Sequence, residues 1–318
     1  MYGRGAQSYF NRSGNPQPDG RAYDQRVLEA VNSAAADVTS YRELVSALGN
    51  AEDGTVITIS EEFAVPSTIL VTKNRITFTC VGRGGLVPAT LQQTLFDVVD
   101  VDDVYFYRVK VLRNKKEQSF KTFVDFDYET DKKNIYIEEC YVEADTFFKS
   151  SIDINALGLS FTPTALSESD VTDAYYENWL GQRSFIINNT HRTYEPVEQL
   201  RRFIWGNAPG GFNPAAMWMT TITGNETNGY IEFTGSGNII DSNVVLGRLD
   251  RLFPPANPAN HSSITAHDRH NIITSNLIRN VTNTGGSFPV SAPGAGTTPP
   301  YVGPPVFNIV SNNLELNP

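Results

Sequence analysis

A row of four carboxylates is the first feature of this sequence that could do chemistry. The four acids are spaced two residues apart and are Asp125, Asp127, Glu129 and Asp131. Because successive side chains of a strand point to opposite faces, all four would share one face. Such a row could bind calcium, or supply the acid and base of a glycosidase or the metal site of a lyase.

The same row has a structural interpretation, which we favour. It lacks the glycine that the sharp turn of a calcium loop requires. Unpaired carboxylates usually stay in water, so the row is expected to form a solvated strand face. The basic residues expected opposite this face are Lys115, Lys116, Lys132 and Lys133.

Three tryptophans are the second candidate group. Trp179, Trp205 and Trp218 fall in one segment of the chain, where they could stack on the sugar rings of a glycan. Large aromatic residues are also enriched in the cores of protein interfaces. We expect packing or a subunit interface, and glycan contact stays open as the alternative.

The histidines and cysteines predict no metal or nucleophile. His261, His267 and His270 match no zinc spacing and have no cysteine near them. Cys80 and Cys140 each end a β-like run and are expected as ordinary core residues. Phosphate-binding loops, nucleophile elbows and paired CxxC motifs do not occur in the sequence. We therefore expect no cofactor and no catalytic set.

Composition limits the classes of protein that remain. The chain has 318 residues with 25 basic and 35 acidic side chains, a net charge of −10. That charge argues against a nucleic-acid partner, because such a protein needs a basic face. A hydrophobic share of 40% excludes global disorder. We expect no membrane span, and synthesis in a host cytoplasm without a secretion signal, since the first residues lack an apolar core.

The amino-terminal part predicts an arm followed by helices. Residues 1–22 form an expected extended arm rich in glycine and proline, which would bind a partner through Tyr2, Arg4, Tyr9, Phe10 and Arg12. Apolar residues at helical spacing, Val27, Leu28 and Val31, predict a short helix over 24–35. A second helix is predicted over 40–49.

That second helix has clear boundary signals. Ser40 with Glu43 forms a capping box, and Gly49 is expected just beyond the last turn as the C′ residue. From Val56 onward, short β-like runs separated by turn residues replace the helical period.

A repeat in the carboxy-terminal part predicts the architecture. Segments beginning at Asn238, Asn271 and Asn308 share a pattern of Asn, two β-branched residues, two small polar residues and a second Asn. The second asparagines are Asn243, Asn276 and Asn313. Self-similarity with one β unit every 30 to 40 residues indicates a solenoid. We expect its β-branched residues inside, and each Asn at a corner, in a left-handed conformation, bonded to the Asn of the next turn.

These features resemble a known fold family. A capping helix, the strand Val56–Ile59 after Asp53-Gly54, and the Asn-containing turns are similar to the right-handed parallel β-helix of the pectin-lyase-like superfamily. The chain is thus predicted to be all-β, with an arm and short helix over 1–36 and the β-helix over 37–318. An insertion is expected at about 155–229 and a proline-rich loop at 288–305.

With its arm and no secretion signal, the chain further resembles the trimeric virion proteins of tailed bacteriophages. The resemblance implies a non-enzymatic homotrimer that decorates or cements the capsid and binds the major capsid protein or another virion protein. The alternatives are a tailspike or tail-fibre protein that binds or depolymerises a host surface polysaccharide, and a glycan-binding adhesin without turnover.

Overall fold

The computed structural model describes most of the chain from Ala36 onward. The described residues are 36–91, 93–99, 101, 103–114, 120–128, 134–152, 184–194, 202–206, 220–233, 237–246, 264–266, 271–279, 290–291 and 309–316. Within them the chain forms one helix and 27 strands. The predicted arm and the predicted helix over 24–35 lie outside the described residues.

Among the described residues the strands form three sheets, and their pairings are parallel. Sheet 1 contains, in spatial order, β1 (Ala36–Val38), β2 (Val56–Ile59), β5 (Thr77–Cys80), β8 (Val104–Tyr107), β11 (Ile135–Glu138), β14 (Phe185–Ile187), β17 (Thr221–Thr223), β20 (Ile239–Asp241), β23 (Ile272–Thr274) and β26 (Ile309–Ser311). Sheet 2 contains β3 (Glu62–Val65), β6 (Gly85–Pro88), β9 (Lys110–Val111), β12 (Tyr141–Val142), β15 (Thr190–His191), β18 (Glu226–Thr227), β21 (Val244–Val245), β24 (Leu277–Arg279) and β27 (Leu314–Leu316). Sheet 3 contains β4 (Ile69–Val71), β7 (Thr94–Val99), β10 (Phe120–Tyr128), β13 (Ala144–Ile152), β16 (Arg202–Gly206), β19 (Tyr230–Phe233), β22 (Ile264–Ala266) and β25 (Val290–Ser291).

The order of these strands makes the fold a parallel β-helix. From β2 onward the chain visits sheet 1, sheet 2 and sheet 3 in turn, and each strand pairs with the strand one turn earlier and one turn later. The eight strands of sheet 3 therefore close eight complete turns among the described residues, and β26 and β27 begin another. The predicted solenoid is confirmed, and facing antiparallel sheets are excluded.

Helix α1 (Tyr41–Gly49) closes the amino-terminal end of the described coil. The hydroxyl of Ser40 accepts a hydrogen bond from the backbone N–H of Glu43 at 3.3 Å, and the Glu43 carboxylate accepts one from the N–H of Thr39 at 2.8 Å. Leu44 and Leu48 are buried against the first turns. The prediction that Gly49 is the C′ residue is wrong by two positions: Gly49 is the last helical residue, and Asn50 is the C-cap with a φ of −94°.

Phenylalanine fills the interior of the early and middle turns. Neighbouring rings lie 4.7–5.8 Å apart between centroids, a spacing at which aromatic pairs attract one another. The rings of this continuous column belong to Phe78, Phe96, Phe106, Phe123, Phe147 and Phe203.

Aliphatic residues replace the rings in the last turns. The sequence predicted that both β-branched residues of each repeat face inward, and only one of them does. Of each repeated pair, the second residue faces inward, so Ile240 and Ile273 are buried, whereas the first residue, as in Ile272, faces out. Strand alternation explains the difference, because successive side chains of these short strands point to opposite faces of sheet 1.

A column of asparagines joins the turns at the corner between sheets 1 and 2. The side-chain N–H of each residue donates to the side-chain oxygen of the next at 2.9 Å, as does the backbone N–H at 2.9–3.0 Å. The other side-chain N–H donates to a backbone carbonyl at 2.8–3.0 Å. The members are Asn189, Asn225, Asn243, Asn276 and Asn313. Each amide donates in the same direction, and those of the middle turns are fully buried and fully bonded.

A second, shorter column precedes the strands of sheet 1. Asn238 donates through its backbone and side-chain N–H groups to Asn271 Oδ1 at 3.1 and 3.0 Å. Asn308, which the repeat places next, lies outside the described residues.

The backbone conformation at this corner differs from the prediction. The asparagines of the column do not have positive φ; the residue immediately before each one does, as at Ser242 (56°), Ser275 (57°) and Asn312 (55°). Gly224 takes the same place with a φ of 67°, and a Cβ there would lie 2.2 Å from Asn188 Oδ1. The left-handed residue turns the chain, and the asparagine that follows can then point its amide inward.

The predicted insertion at about 155–229 is not one insertion. Strands β14, β15, β16, β17 and β18 lie within it and continue all three sheets. Residues 153–183, 195–201 and 207–219 are outside the described residues. The predicted proline-rich loop at 288–305 likewise contains a strand, since β25 pairs with β22 in sheet 3.

The asparagine column predicts a position-dependent loss of stability. Replacing Asn243 with alanine leaves the backbone and side-chain donors of Asn225 without an acceptor in a buried site, which should cost about 3 kcal/mol. The same change at half-buried Asn313 should cost about 1 kcal/mol, because water can replace the lost oxygen. Urea midpoints of both variants measure the difference. Equal, small losses would contradict a stabilising role for the column.

Candidate functional site

A carboxylate–lysine column lies on the outer face of sheet 3. Asp97, Asp125 and Lys149 are aligned on β7, β10 and β13. Each follows a buried residue of its strand, Phe96, Val124 or Phe148, and strand alternation turns the polar residue outward. The column thus brings two acidic side chains and one basic side chain together from three consecutive turns.

Lys149 neutralises one acid of the column and not the other. Its Nζ donates to Asp125 Oδ2 at 2.6 Å, and both side chains are about four-fifths buried, with exposures of 22% and 19%. Partial burial raises the pKa of Asp97, the charge of Asp125 raises it further, and Lys149 opposes both effects. The column therefore holds one ion-paired carboxylate beside one that takes up a proton more readily than a free aspartate.

The predicted carboxylate row is only partly visible. Asp125 and Asp127 lie in β10, the side chain of Asp127 is not among those described, and Glu129 and Asp131 are outside the described residues. The basic partner of Asp125 is Lys149 rather than one of the four lysines expected from the sequence, all of which also lie outside. The solvated face we favoured is wrong at Asp125, which is mostly buried.

One of the three tryptophans, Trp205, lies among the described residues. The backbone of Trp205 lies in β16, in register with Lys149 on one side and Glu232 on the other. Trp205 therefore continues the carboxylate–lysine column by one strand. Trp179 and Trp218 are outside the described residues, as are the arm residues 2–12 and the histidines at 261, 267 and 270.

An aromatic ladder on the outer face of sheet 1 was not predicted. Tyr105, Tyr136 and Phe185 stack with centroid distances of 4.4 and 5.4 Å and interplanar angles of 9° and 11°. Because the ring faces contact each other, they do not offer flat platforms to a sugar. This ladder stabilises the sheet.

A second polar cluster, also missed from the sequence, lies where the chain leaves sheet 2. Glu143 accepts hydrogen bonds from the backbone N–H of Arg113 at 3.0 Å and from the hydroxyl of Tyr141 at 2.8 Å. The Arg113 guanidinium lies 3.4 Å from the ring centroid of Tyr194. Burial, with hydrogen bonds to Glu143 and Tyr194, raises the pKa of Tyr141. The cluster is a closed network in which Tyr141 is kept protonated.

The cysteines and one buried histidine have structural environments. Burial raises the pKa of Cys80 to about 11 and raises that of Cys140 further, which disfavours a nucleophilic thiolate at both. His191 is buried, with Nε2 donating to the Ala144 carbonyl and Nδ1 accepting from the Thr227 hydroxyl, both at 2.8 Å. Among the described residues, no three side chains lie close enough together to hold a metal ion.

Within the same part of the chain, no helix is long and apolar enough to cross a membrane.

Comparisons with known proteins carry no argument about this chain. No family model matches the chain, and no curated protein matches it. Among solved structures, the crystal structure of an alginate lyase from Paenibacillus sp. str. FPU-7 aligns with 88% of this chain and 95% of that chain, at 14% identity and a TM-score of 0.36. An overlap this loose carries no argument about function. The fold assignment here comes from the strand pairing itself.

The carboxylate–lysine column predicts that substitutions of Asp97 and Lys149 change the stability of the protein in opposite directions. Because folding raises the pKa of Asp97 above its ordinary value of 3.8, ionised Asp97 lowers stability above that range and has no effect well below it. Asp97→Asn should raise Tm at pH 7 and leave it unchanged at pH 3. Lys149→Met should lower stability at pH 7 by about 1–3 kcal/mol, since the two carboxylates then face each other unneutralised.

Thermal melts at both pH values, with the double variant, check this prediction. In the double variant, Asp97→Asn should recover part of the loss caused by Lys149→Met. Additive effects of the two substitutions would show that the three side chains do not act together.

Proposed function

We propose that this chain is a non-enzymatic structural protein, a homotrimer that decorates or cements the capsid of a tailed bacteriophage. Its arm, residues 1–22, anchors it to the major capsid protein or another virion protein. The observation that carries the structural part of the proposal is the continuous, fully bonded asparagine column. Such a column ties each turn of the coil to the next and suits a rigid body that must hold its shape.

Ion pairs between neighbouring turns also support a structural role. Within the described part of the chain, ion pairs join Arg108 to Glu139, Arg113 to Glu143, Lys149 to Asp125 and Arg192 to Glu226. Charged groups that bind each other across turns stabilise the coil. A catalytic centre would instead keep such groups oriented toward a substrate.

Exposed aliphatic residues on the last turns support self-association. On the outer face of sheet 1, Ile272 and Ile309 are 36% and 57% exposed, and on sheet 2 Leu314 is 63% exposed. Neighbouring turns place these side chains in columns with Ile239 and Leu277. Aliphatic columns on an outer face are a surface that copies of the chain can bury against one another.

The trimer has a direct test with a matched control. Light scattering should give about 105 kDa, three times the 35.1 kDa of one chain. Ile272→Glu with Ile309→Glu should lower the mass toward 35 kDa, because the charges prevent burial of the aliphatic column. Thr274→Glu with Ser311→Glu, on the adjacent outward column of the same strands, should leave the trimer intact. A stable monomer of the unmodified protein would overturn the trimeric assignment.

A second candidate function is a tailspike or tail-fibre protein that binds or cleaves a host polysaccharide. The observation that favours it is the carboxylate–lysine column, in which Asp97 has a raised pKa beside Asp125, the partner of Lys149, and the register continues to Trp205. Acid–base cleavage of a glycan uses one carboxyl group that holds a proton more readily than its neighbour.

Incubation with capsular and O-antigen polysaccharides of host strains separates the two candidates. The structural role predicts neither reducing ends nor unsaturated sugars. Products that appear with the unmodified protein, vanish in Asp97→Asn and Asp125→Asn, and persist in the control Glu139→Gln would establish the second candidate. Retention of a polysaccharide without products would indicate a glycan-binding adhesin.

A further inference from the structure

The outer face of sheet 2 becomes aliphatic in the last three described turns. From β9 to β18 one outward column of this sheet is polar, with the members Lys110, Tyr141, Thr190 and Glu226. From β21 onward the same column is aliphatic. Its members there, which we call the leucine stripe, are Val244, Leu277 and Leu314. Leu314 is 63% exposed, and the other two are half-buried.

An outward column of sheet 1 becomes aliphatic at the same turn. After the stacked rings of Tyr105, Tyr136 and Phe185, the column passes through Thr221 to three isoleucines. These residues, which we call the isoleucine stripe, are Ile239, Ile272 and Ile309. They become more exposed toward the last turn. Because β20 and β21 follow each other in one turn, both stripes begin together.

The corner between the two stripes carries short, uncharged side chains. Its left-handed residues are Ser242, Ser275 and Asn312. In earlier turns the same position carries Arg108 and Glu139, which form an ion pair across turns. The corner of the last turns therefore allows a neighbouring molecule to approach both adjacent faces.

Charge favours contact between copies of this chain at these turns. Each copy has a net charge of −10, so copies repel each other and approach best where their surfaces carry little charge. Among the outward side chains described on sheets 1 and 2 in the last three turns, only Asp241 is charged, and the Ser242 hydroxyl donates to its Oδ2 at 2.9 Å. The side chains of Arg279 and Glu315 are not among those described.

The two stripes also match each other in length and spacing. Each presents one aliphatic side chain per turn over the same three turns, at a repeat of about 4.8 Å. When two copies lie side by side in parallel, the stripe of one copy meets the other stripe of its neighbour turn by turn. A different protein would need the same repeat to cover both stripes equally well.

We propose that the isoleucine stripe of one copy packs against the leucine stripe of the next, in a closed ring of parallel coils. A contact between two different surfaces closes into a ring only when the rotation between neighbours allows it. The stripes suit a small ring because they lie on adjacent sheets that share a corner. A two-fold contact of one stripe with itself would leave the other stripe exposed. The number of copies, three, rests on the proposed trimer, and the corner residues then line its axis.

Disulfide formation in the full-length protein tests this contact. Ile272 and Leu277 lie in the same turn, one in each stripe. Oxidation of the double variant Ile272→Cys with Leu277→Cys should therefore link three chains, giving about 105 kDa in non-reducing denaturing electrophoresis, three times 35.1 kDa. Each single variant should stay unlinked, because its cysteine meets an unmodified residue of the other stripe. The unmodified protein controls for linkage through Cys80 and Cys140.

A second pair of cysteines tests the parallel orientation. Ile309→Cys with Val244→Cys places the two thiols two turns apart, about 10 Å along the coil. A disulfide needs its Cα atoms within about 7 Å, so this variant should stay unlinked in a parallel ring. Linked chains would show antiparallel copies and would overturn the arrangement.

Charge substitutions on sheet 2 give an independent check without cysteines. Leu277→Glu with Leu314→Glu should lower the mass in light scattering from about 105 to about 35 kDa, as the substitutions on sheet 1 do, because each contact needs both stripes. Both side chains point outward, and an unchanged circular dichroism spectrum shows that the coil is still folded. A trimer that persists in this variant would overturn the role of the leucine stripe.

The outcomes separate this inference from the proposed trimer. A monomeric unmodified protein would overturn both. A trimer whose chains are linked by Ile272→Cys alone, or are not linked in the double variant with Leu277→Cys, would overturn the arrangement and leave the trimer standing.

Discussion

The repeat distance between neighbouring parallel strands is the constraint on which the rest of this structure depends. Each turn lies about 4.8 Å from the next, so any side chain that leaves the strand direction meets its counterpart from the adjacent turn. At the corner between sheets 1 and 2, the asparagine amide of one turn therefore lies against that of the next, with nitrogen-to-oxygen distances of 2.9 Å. The same spacing brings phenylalanine rings of neighbouring turns into contact in the interior. On the outer face of sheet 3 it brings Lys149 next to Asp125.

The corner residues show how far the sequence predicts such a structure. The pattern beginning at Asn238, Asn271 and Asn308 was visible because three turns repeat it closely, and it was enough to predict the coil. The helix at its end was predicted separately, from the capping box of Ser40 and Glu43. Asn225 was missed because its turn is short, only 18 residues before Asn243, and its corner carries Gly224 in place of a small polar residue. Cys140 holds the same position one turn before Asn189 and donates to Asn189 Oδ1 through its backbone N–H, so no asparagine marked that turn.

The candidate sites were harder to predict for a related reason. Contacts between turns join residues that are 18 to 52 positions apart, such as Asn225 with Asn243 or Asn189 with Ile137. Variable loops change that interval from turn to turn, so a spacing rule that works for one pair fails for the next. Sequence reasoning identified Asp125 as part of a carboxylate row, and only the strand register gave it Lys149 and Asp97 as neighbours. The predicted insertion failed similarly, because long intervals between β14, β16 and β17 hid strands that continue the sheets.

The uniform direction of the asparagine bonds gives the coil an electrical polarity. From Asn189 to Asn276 each amide donates one side-chain N–H to the following turn, and each side-chain oxygen from Asn189 to Asn313 accepts from the preceding turn. Amide dipoles aligned in this way add, as peptide dipoles do in a helix, and each bond polarises its neighbours. The column therefore behaves as a one-dimensional chain of dipoles whose positive pole lies at the carboxy-terminal turn, so the two ends of this rod differ in electrostatic potential even where their shapes are alike.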